Sequence, residues 1–236
     1  RDMVAELRDA LPDYFAAYGP NLEVEMGSRV ENGRAIDVRF QFGNMVLSKT
    51  PILTSRNLLL PRRRSIDVLN LQRGALEALI DTPLGPVRFY SVHLDHRGPD
   101  ERIAQLRFLM ERVLGYPLEG GAISGTVEMD FAEPPAPEAF VLMGDFNMLP
   151  GSDEYVDLAG RADPWAGMPL VASRPVDAAL RASPQPAITW VEPKEPHNRS
   201  HWKRIDYVFT SAGLARHVRS SRVDAEAVGS DHLPLW

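Results

Sequence analysis

The 236-residue sequence contains no cysteine, and this absence limits the chemistry that the chain can perform. Disulfide bonds, zinc–thiolate sites and thiol nucleophiles are excluded, so any bound metal must be held by oxygen and imidazole ligands. Long hydrophobic runs are missing as well, because charge or proline interrupts every apolar stretch. Since about 20 apolar residues are needed to cross a bilayer, the sequence predicts no transmembrane span.

Basic residues are outnumbered, with 26 Lys and Arg against 32 Asp and Glu, which gives a net charge of −6. A surface that coats nucleic acid needs an excess of basic residues to displace counterions, so the balance argues against that role. The charge balance does not exclude an enzyme that contacts only a few phosphate groups of its substrate. The 44% hydrophobic and 25% charged content is typical of globular proteins, and we expect a single domain over residues 1–236.

Hydrophobic spacing predicts a mixed α/β chain. Val4, Leu7 and Leu11 recur at helical spacing before Pro12. A second helix is expected from a cap at Asp100 to Gly115, and a third after the cap at Ser152. Two segments read as loops, a long surface loop at 116–138 and a proline-dotted stretch at 163–200. The predicted strands are 22–26, 35–41, 45–48, 52–60, 75–81, 87–94, 139–144, 205–210 and 218–226.

Asp145 and Asn147 follow an apolar strand in the segment Gly144-Asp145-Phe146-Asn147. Residues two apart in an extended backbone point the same way, so both side chains are expected to converge while Phe146 faces the opposite side. A carboxylate can accept a proton from water or bind a hard cation, and the amide can hold the same water or a phosphate oxygen. The alternative is a simple turn, since Gly, Asp and Asn are common turn formers.

Asp206 interrupts an otherwise apolar strand, and two readings of it remain open. It can form a structural ion pair with Arg204 or another arginine, or it can fix the tautomer of a histidine. His232 and the adjacent Asp231 precede a proline; they can line a pocket at a bend or lie on the surface.

His93 closes an apolar strand, where a histidine is commonly a core or rim residue. None of these clusters indicates a function by itself. The functional interpretation depends on all four occurring together, each within or at the end of a predicted strand. Two further features have open roles. Arg62-Arg63-Arg64 is a solvated loop or meets an anionic substrate. His197, His201 and Trp190 can line a recognition loop, although Trp190 can also belong to the core.

The clusters, taken in order, resemble the motifs of the endonuclease/exonuclease/phosphatase superfamily. The segments that carry the resemblance are His93-Leu94, Gly144-Asp145-Phe146-Asn147, Arg204-Ile205-Asp206-Tyr207 and Ser230-Asp231-His232-Leu233-Pro234, together with Gly43–Lys49. The resemblance implies a four-layer α/β sandwich in which two packed mixed or antiparallel β-sheets are flanked by helices. It also implies a divalent-metal-dependent hydrolase of phosphate esters that uses in-line attack by an activated water.

The resemblance implies a role for each matching residue. Asp145 orients or deprotonates the attacking water, Asn147 holds that water or the phosphate, and His93 binds the scissile phosphate. Asp206 orients the essential imidazole of His232. Asp231 and Asp145 are implied as ligands of Mg²⁺ or Mn²⁺.

The family's glutamate motif, which supplies the main metal ligand, is absent from the sequence, and Glu23 or Glu25 is a poor substitute for it. We therefore expect that ligand upstream of residue 1 and regard the sequence as N-terminally truncated. Nucleic acid, a lipid headgroup or an inositol phosphate all remain candidate substrates. The alternative function is a non-catalytic module of the same fold that binds a phosphate ligand or a protein.

Overall fold

A computed structural model of the chain describes residues 2–165, 167–183 and 185–236, and its main feature is a six-stranded mixed β-sheet. The strand order is β5-β6-β7-β8-β10-β9, with β7 and β8 parallel and the other neighbours antiparallel. The strands are β1 (Phe15–Glu25), β2 (Arg29–Glu31), β3 (Arg34–Ile36), β4 (Arg39–Ser48), β5 (Ile52–Leu59), β6 (Gly74–Thr82), β7 (Gly85–His93), β8 (Phe140–Asp145), β9 (Val176–Asp177) and β10 (Asp206–Thr210).

Helices cover one face of this sheet. The helices are α1 (Met3–Ala10), α2 (Pro99–Glu119), α3 (Asp153–Ala159), α4 (Ala178–Ala182) and α5 (Ala212–Ala215), with short 3-10 helices at Thr126–Met129 and Arg199–His201. Leu109 of α2 and Leu158 of α3 join Leu142 and Phe209 of the sheet in the main core. The parallel β7–β8 pair needs a crossover, and α2 supplies it.

A second, two-stranded sheet of β1 and β4 covers the other face, and a separate hairpin pairs β2 with β3. Val46 of β4 packs with Leu76, Ala78 and Ile80 of β6 in a smaller apolar cluster. These layers confirm the predicted α/β fold class. None of the described helices is long and apolar enough to cross a membrane.

Several predicted boundaries were wrong. Helix α2 begins after Gly98 rather than Asp100 and continues through Gly115 to a cap at Gly120, so the surface loop starts later than expected and includes a 3-10 helix. The predicted strand at 218–226 is absent from the described residues apart from an isolated bridge between Val223 and Leu235. The cap at Ser152 is confirmed, since its side chain accepts a hydrogen bond from the amide of Tyr155.

Phe146 anchors the turn that follows β8. Its side chain is fully buried, and its ring lies edge-on to Tyr207 at 5.8 Å and to Phe209 at 5.1 Å. The preceding Gly144 is required by close packing, because it adopts φ +135° and an added Cβ would lie 2.1 Å from the carbonyl oxygen of Val92. Phe146 therefore faces the core, as predicted, while its neighbours face the end of the sheet.

We expect Phe146→Ala to lower the free energy of unfolding by about 3–5 kcal/mol, because it removes a fully buried aromatic ring from the core. Denaturant unfolding measures this loss. Leu118→Ala is the control: Leu118 is 95% exposed on α2, and its replacement should change stability by no more than about 0.5 kcal/mol. Equal losses in both variants would contradict the packing described here.

Candidate active site

The strand register brings three of the predicted site residues into one row at the end of the main sheet. His93 is paired with Asp145 across β7 and β8, and Asp145 is paired with Asp206 across β8 and β10. The row continues in the other direction through Gly74 on β6 to Leu59 on β5. Because neighbouring strands lie about 4.8 Å apart, the two carboxylates and the imidazole are close together.

Asp145 and Asn147 converge through a turn that closes on itself. The backbone N–H of Asn147 donates to Oδ1 of Asp145 at 2.8 Å, and Nδ2 of Asn147 donates to Oδ2 at 3.0 Å. The predicted convergence is therefore present, but its stated reason is wrong. Strand β8 ends at Asp145 and Asn147 has a left-handed backbone with φ +50°, so the turn rather than an extended chain brings the side chains together.

Asp206 contacts His232, with Nδ1 of the imidazole 2.9 Å from Oδ2 and 3.1 Å from Oδ1. This hydrogen bond, followed by the negative charges of Asp206, Asp145 and Asp231, raises the pKa of His232 above its ordinary value against the opposing effect of burial. The alternative ion pair between Asp206 and Arg204 is wrong. Arg204 binds Asp177 instead, with Nη2 at 2.6 and 2.8 Å from the two carboxylate oxygens.

Asp231 lies beside this pair and is held by Trp190, whose indole Nε1 donates to Oδ2 of Asp231 at 3.0 Å. The backbone of Trp190 also forms isolated bridges with Lys203 and His232. Trp190 is partly buried and is not one of the buried core residues. It fixes the segment that carries Asp231 and His232.

Thr189 is a positioning residue that the sequence analysis missed. Its buried Oγ1 accepts hydrogen bonds from the backbone N–H groups of Ile205 at 3.1 Å and Asp206 at 3.0 Å, and its carbonyl accepts one from Leu233 at 2.7 Å. Thr189 therefore connects the start of β10 to the segment that carries His232. A single threonine in a proline-dotted loop carries no sequence signal for this role.

Arg73 is a second missed residue, and it lies at the start of β6 beside His93. Its Nη1 is 2.6 Å from Nε2 of His93 and its Nη2 is 3.0 Å from Nδ1 of His96. Arg73 is only 4% exposed, its Nε has no hydrogen-bond partner, and its guanidinium forms no ion pair within 4.0 Å among the described residues. Burial lowers the pKa of Arg73, although an arginine so placed remains charged.

The buried guanidinium contacts one ring nitrogen of each of the two histidines. Because a guanidinium can only donate, Nη1 of Arg73 at 2.6 Å donates to Nε2 of His93. Oδ2 of Asp145 lies 3.3 Å from the same nitrogen and is the weaker of the two contacts. Burial and then the charge of Arg73 lower the pKa of His96, whose Nδ1 lies 3.0 Å from Nη2 of Arg73.

A sequence model described as the endonuclease/exonuclease/phosphatase family matches residues 4–232, almost the whole chain. The chain belongs to the endonuclease/exonuclease/phosphatase family. No curated protein matches the sequence significantly. The family resemblance inferred from the motifs is therefore confirmed.

Solved structures of this family share the fold at low sequence identity. An endonuclease/exonuclease/phosphatase from Bacteroides vulgatus is 18% identical with a TM-score of 0.60, covering 98% of this chain and 77% of its own. The 3′-5′ exonuclease NExo from Neisseria meningitidis is 17% identical with a TM-score of 0.59, and the match covers 100% of this chain and 82% of that chain. A mannosyl-6-phosphatase from Bacteroides thetaiotaomicron is 16% identical with a TM-score of 0.57, covering 98% and 79%.

The residues of the site do not form a complete metal centre. No group of three or more His, Asp or Glu side chains in the described part of the chain is arranged to hold a metal ion. The two implied ligands accept hydrogen bonds, Asp145 from Asn147 and Asp231 from Trp190. The carboxylate of Glu25 accepts the backbone N–H of Gly27 at 2.6 Å. The metal and the upstream glutamate implied for this family member therefore stay predictions.

We expect Asp206→Asn to lower the pKa of His232, because it removes the negative charge that favours the imidazolium. An NMR titration of the imidazole resonances measures this pKa. The raised pKa stabilises the fold fully below the unfolded-state value of about 6.5, and that contribution is lost as the pH rises through the folded-state value. Asp206→Asn should therefore weaken the dependence of unfolding free energy on pH above about 6.5.

Asp224→Asn is the matched control, since Asp224 is a carboxylate outside the row that accepts a backbone hydrogen bond from Glu226. An unchanged titration of His232 in Asp206→Asn, or an equal shift in the control, would contradict the assigned partner.

Proposed function

We propose that this chain hydrolyses phosphate esters at the row formed by His93, Asp145 and Asp206. The observation that carries the proposal is the juxtaposition of a carboxylate, Asp145, with the His232–Asp206 pair and with the buried guanidinium of Arg73, which has no direct carboxylate contact. Family membership supports the reaction class, and solved relatives include proteins described as an exonuclease and a phosphatase.

Arg73 supplies the first function that the reaction needs, which is binding of the phosphate. A buried guanidinium without a carboxylate partner is costly, and a phosphate oxygen would serve as its missing counterion. His93 and His96 contact two of its nitrogens, which places both imidazoles beside the proposed phosphate position. We therefore assign Arg73 and His93 to the phosphate, in agreement with the role that the resemblance implies for His93.

His232 supplies charge stabilisation. Since Nδ1 faces Asp206, Nε2 is the nitrogen available to the substrate, and the raised pKa keeps a proton on it up to a higher pH than for an ordinary histidine. As water attacks phosphorus and the leaving oxygen departs, negative charge grows on the phosphoryl and leaving oxygens. An imidazolium in a partly buried site stabilises that charge.

Asp145 is the group that we assign to the attacking water. Its carboxylate is fixed by both hydrogen bonds from Asn147, so it has one orientation in which to accept a hydrogen bond or a proton from water. Asn147 also donates from Nδ2 to the carbonyl oxygen of Leu94 at 3.1 Å, which ties the turn to the end of β7. In the proposed reaction Asn147 positions Asp145, and Asp206 positions His232.

We expect the full-length protein to hydrolyse bis-p-nitrophenyl phosphate in the presence of Mg²⁺ or Mn²⁺ and to lose this activity in EDTA. Asp145→Asn and His232→Ala should each lower kcat/KM by about 10²–10⁴-fold, because each removes a group that acts on the reacting atoms. Arg73→Gln should lower it by roughly 10- to 100-fold through weaker phosphate binding. Release of p-nitrophenolate measures all three effects.

The control is His217→Ala, which removes an exposed histidine that contacts Arg216 just beyond α5. Its activity should equal that of the unchanged protein. Turnover of p-nitrophenyl phosphate alone would identify a monoesterase. Binding of phosphate without turnover of either ester, with any metal, would support the non-catalytic module instead.

A further inference from the structure

The loop between β5 and β6, residues 61–72, lies at the same end of the sheet as the proposed active site. Its two ends are the paired residues Leu59 and Gly74, and Gly74 is paired in turn with His93. With about 4.8 Å between strands, the base of this loop is roughly 5–10 Å from His93. Whatever the loop binds is therefore brought next to the site.

The backbone of the loop is held in place by buried side chains of α2. The amide of Gln105 joins the loop to the segment after β7, since Nε2 donates to the carbonyl of Pro61 at 3.0 Å and Oε1 accepts from the N–H of Asp95 at 2.9 Å. Oε2 of Glu101 accepts from the N–H of Arg63 at 3.2 Å, and both of its oxygens accept from Nδ2 of Asn70 at 3.1 Å. The loop is therefore anchored inward, and its other side chains face outward.

The outward side chains of loop 61–72 include both exposed arginines and exposed aliphatic residues. Arg62, Arg63 and Arg64 are exposed, and none of the ion pairs among the described residues involves them. They are followed by Ile66, which is 91% exposed, and Leu69, which is 65% exposed, with Val68 also exposed. Single exposed aliphatic residues are common, but a cluster beside three unpaired arginines is the composition of a segment that binds an anionic lipid interface.

The hairpin of β2 and β3 extends past the same end of the molecule. Asn44 of β4 donates to the carbonyl of Ser91 at 2.7 Å, and the ring of Phe42 lies 5.4 Å from that of His93. Followed backwards, β4 therefore runs alongside β7 toward the site and continues beyond it into the hairpin. Val30 of the hairpin is 74% exposed, which gives a second apolar contact near the site.

We propose that loop 61–72, assisted by the hairpin Arg29–Ile36, docks this chain on the surface of an anionic phospholipid bilayer with the proposed active site facing that surface. The arginines would contact lipid phosphates and carboxylates, while Ile66 and Leu69 enter the boundary between headgroups and acyl chains. A nucleic-acid strand would satisfy the arginines but would leave the exposed aliphatic side chains Ile66 and Leu69 in water. A lipid surface would contact both the arginines and the aliphatic side chains of the loop, and we therefore favour it over a nucleic acid.

The test is co-sedimentation with vesicles of phosphatidylcholine alone and with vesicles that contain about one third phosphatidylserine. We expect binding to the anionic vesicles and much weaker binding to the neutral ones. R62Q/R63Q/R64Q should weaken binding to the anionic vesicles by about 100-fold, because each arginine near a membrane surface contributes roughly fivefold to the affinity. I66S/L69S should weaken it by about tenfold or more through loss of apolar burial.

Two control variants carry matched changes elsewhere. R8Q/R216Q/R219Q removes three exposed arginines from α1 and from the region of α5, which follows the opposite end of β10. L118S/V127S changes two aliphatic residues that are 95% and 82% exposed outside loop 61–72. Both controls should bind anionic vesicles as the unchanged protein does.

Absence of binding to anionic vesicles, or undiminished binding by either loop variant, would overturn the proposal. Loss of single-stranded oligonucleotide binding in R62Q/R63Q/R64Q, with vesicle binding unchanged, would also overturn it and assign the loop to nucleic acid. Because vesicle binding is measured without turnover, its failure leaves the proposed hydrolysis untouched, and failure of hydrolysis leaves the docking result valid.

Discussion

The strand register at one end of the main sheet is the constraint on which the candidate site depends. Gly74, His93, Asp145 and Asp206 come from four different strands, β6, β7, β8 and β10, and they meet because each is paired with the next. A slip of one residue in any pair would turn a side chain to the opposite face of the sheet. The apolar residues of both faces oppose such a slip, so the same packing that stabilises the sheet also sets the geometry of the site.

Charge balance is the second determinant of the site. Asp145, Asp206 and Asp231 bring three carboxylates near one imidazole, and their combined charge favours the protonated form of His232. Arg73 lies on the other side of Asp145, where it contacts two imidazoles and no carboxylate. The buried cation of Arg73 therefore lies at one end of the site, and the carboxylates of Asp206 and Asp231 lie at the other. An anionic ester fits between them if its phosphate approaches Arg73 and its scissile bond lies toward Asp145 and His232.

The sequence predicted the parts of the site that leave a local pattern, namely polar residues at the ends of apolar strands. Asp145, Asp206 and His93 were found in this way, and Phe146 was correctly predicted to face the side opposite to Asp145 and Asn147. Arg73 and Thr189 were missed because their importance comes from partners more than 15 residues away, such as His93 and Asp206, and not from their neighbours in sequence. The alternative reading of Asp206, an ion pair with Arg204, was wrong for the same reason, because Arg204 binds the distant Asp177. Helix α2 continued past Gly115 because its buried side chain Tyr116 outweighs the low helix propensity of glycine.

The most direct test of the account is an NMR titration of the six histidines with inorganic phosphate. We expect the imidazole resonances of His93, His96 and His232 to shift together with one binding constant, that of His217 near α5 to stay unchanged, and Arg73→Gln to weaken phosphate binding by roughly 10- to 100-fold. Phosphate binding that leaves His93 and His232 unmoved, or that is equally tight in Arg73→Gln, would contradict the assignment of this sheet end as the phosphate site.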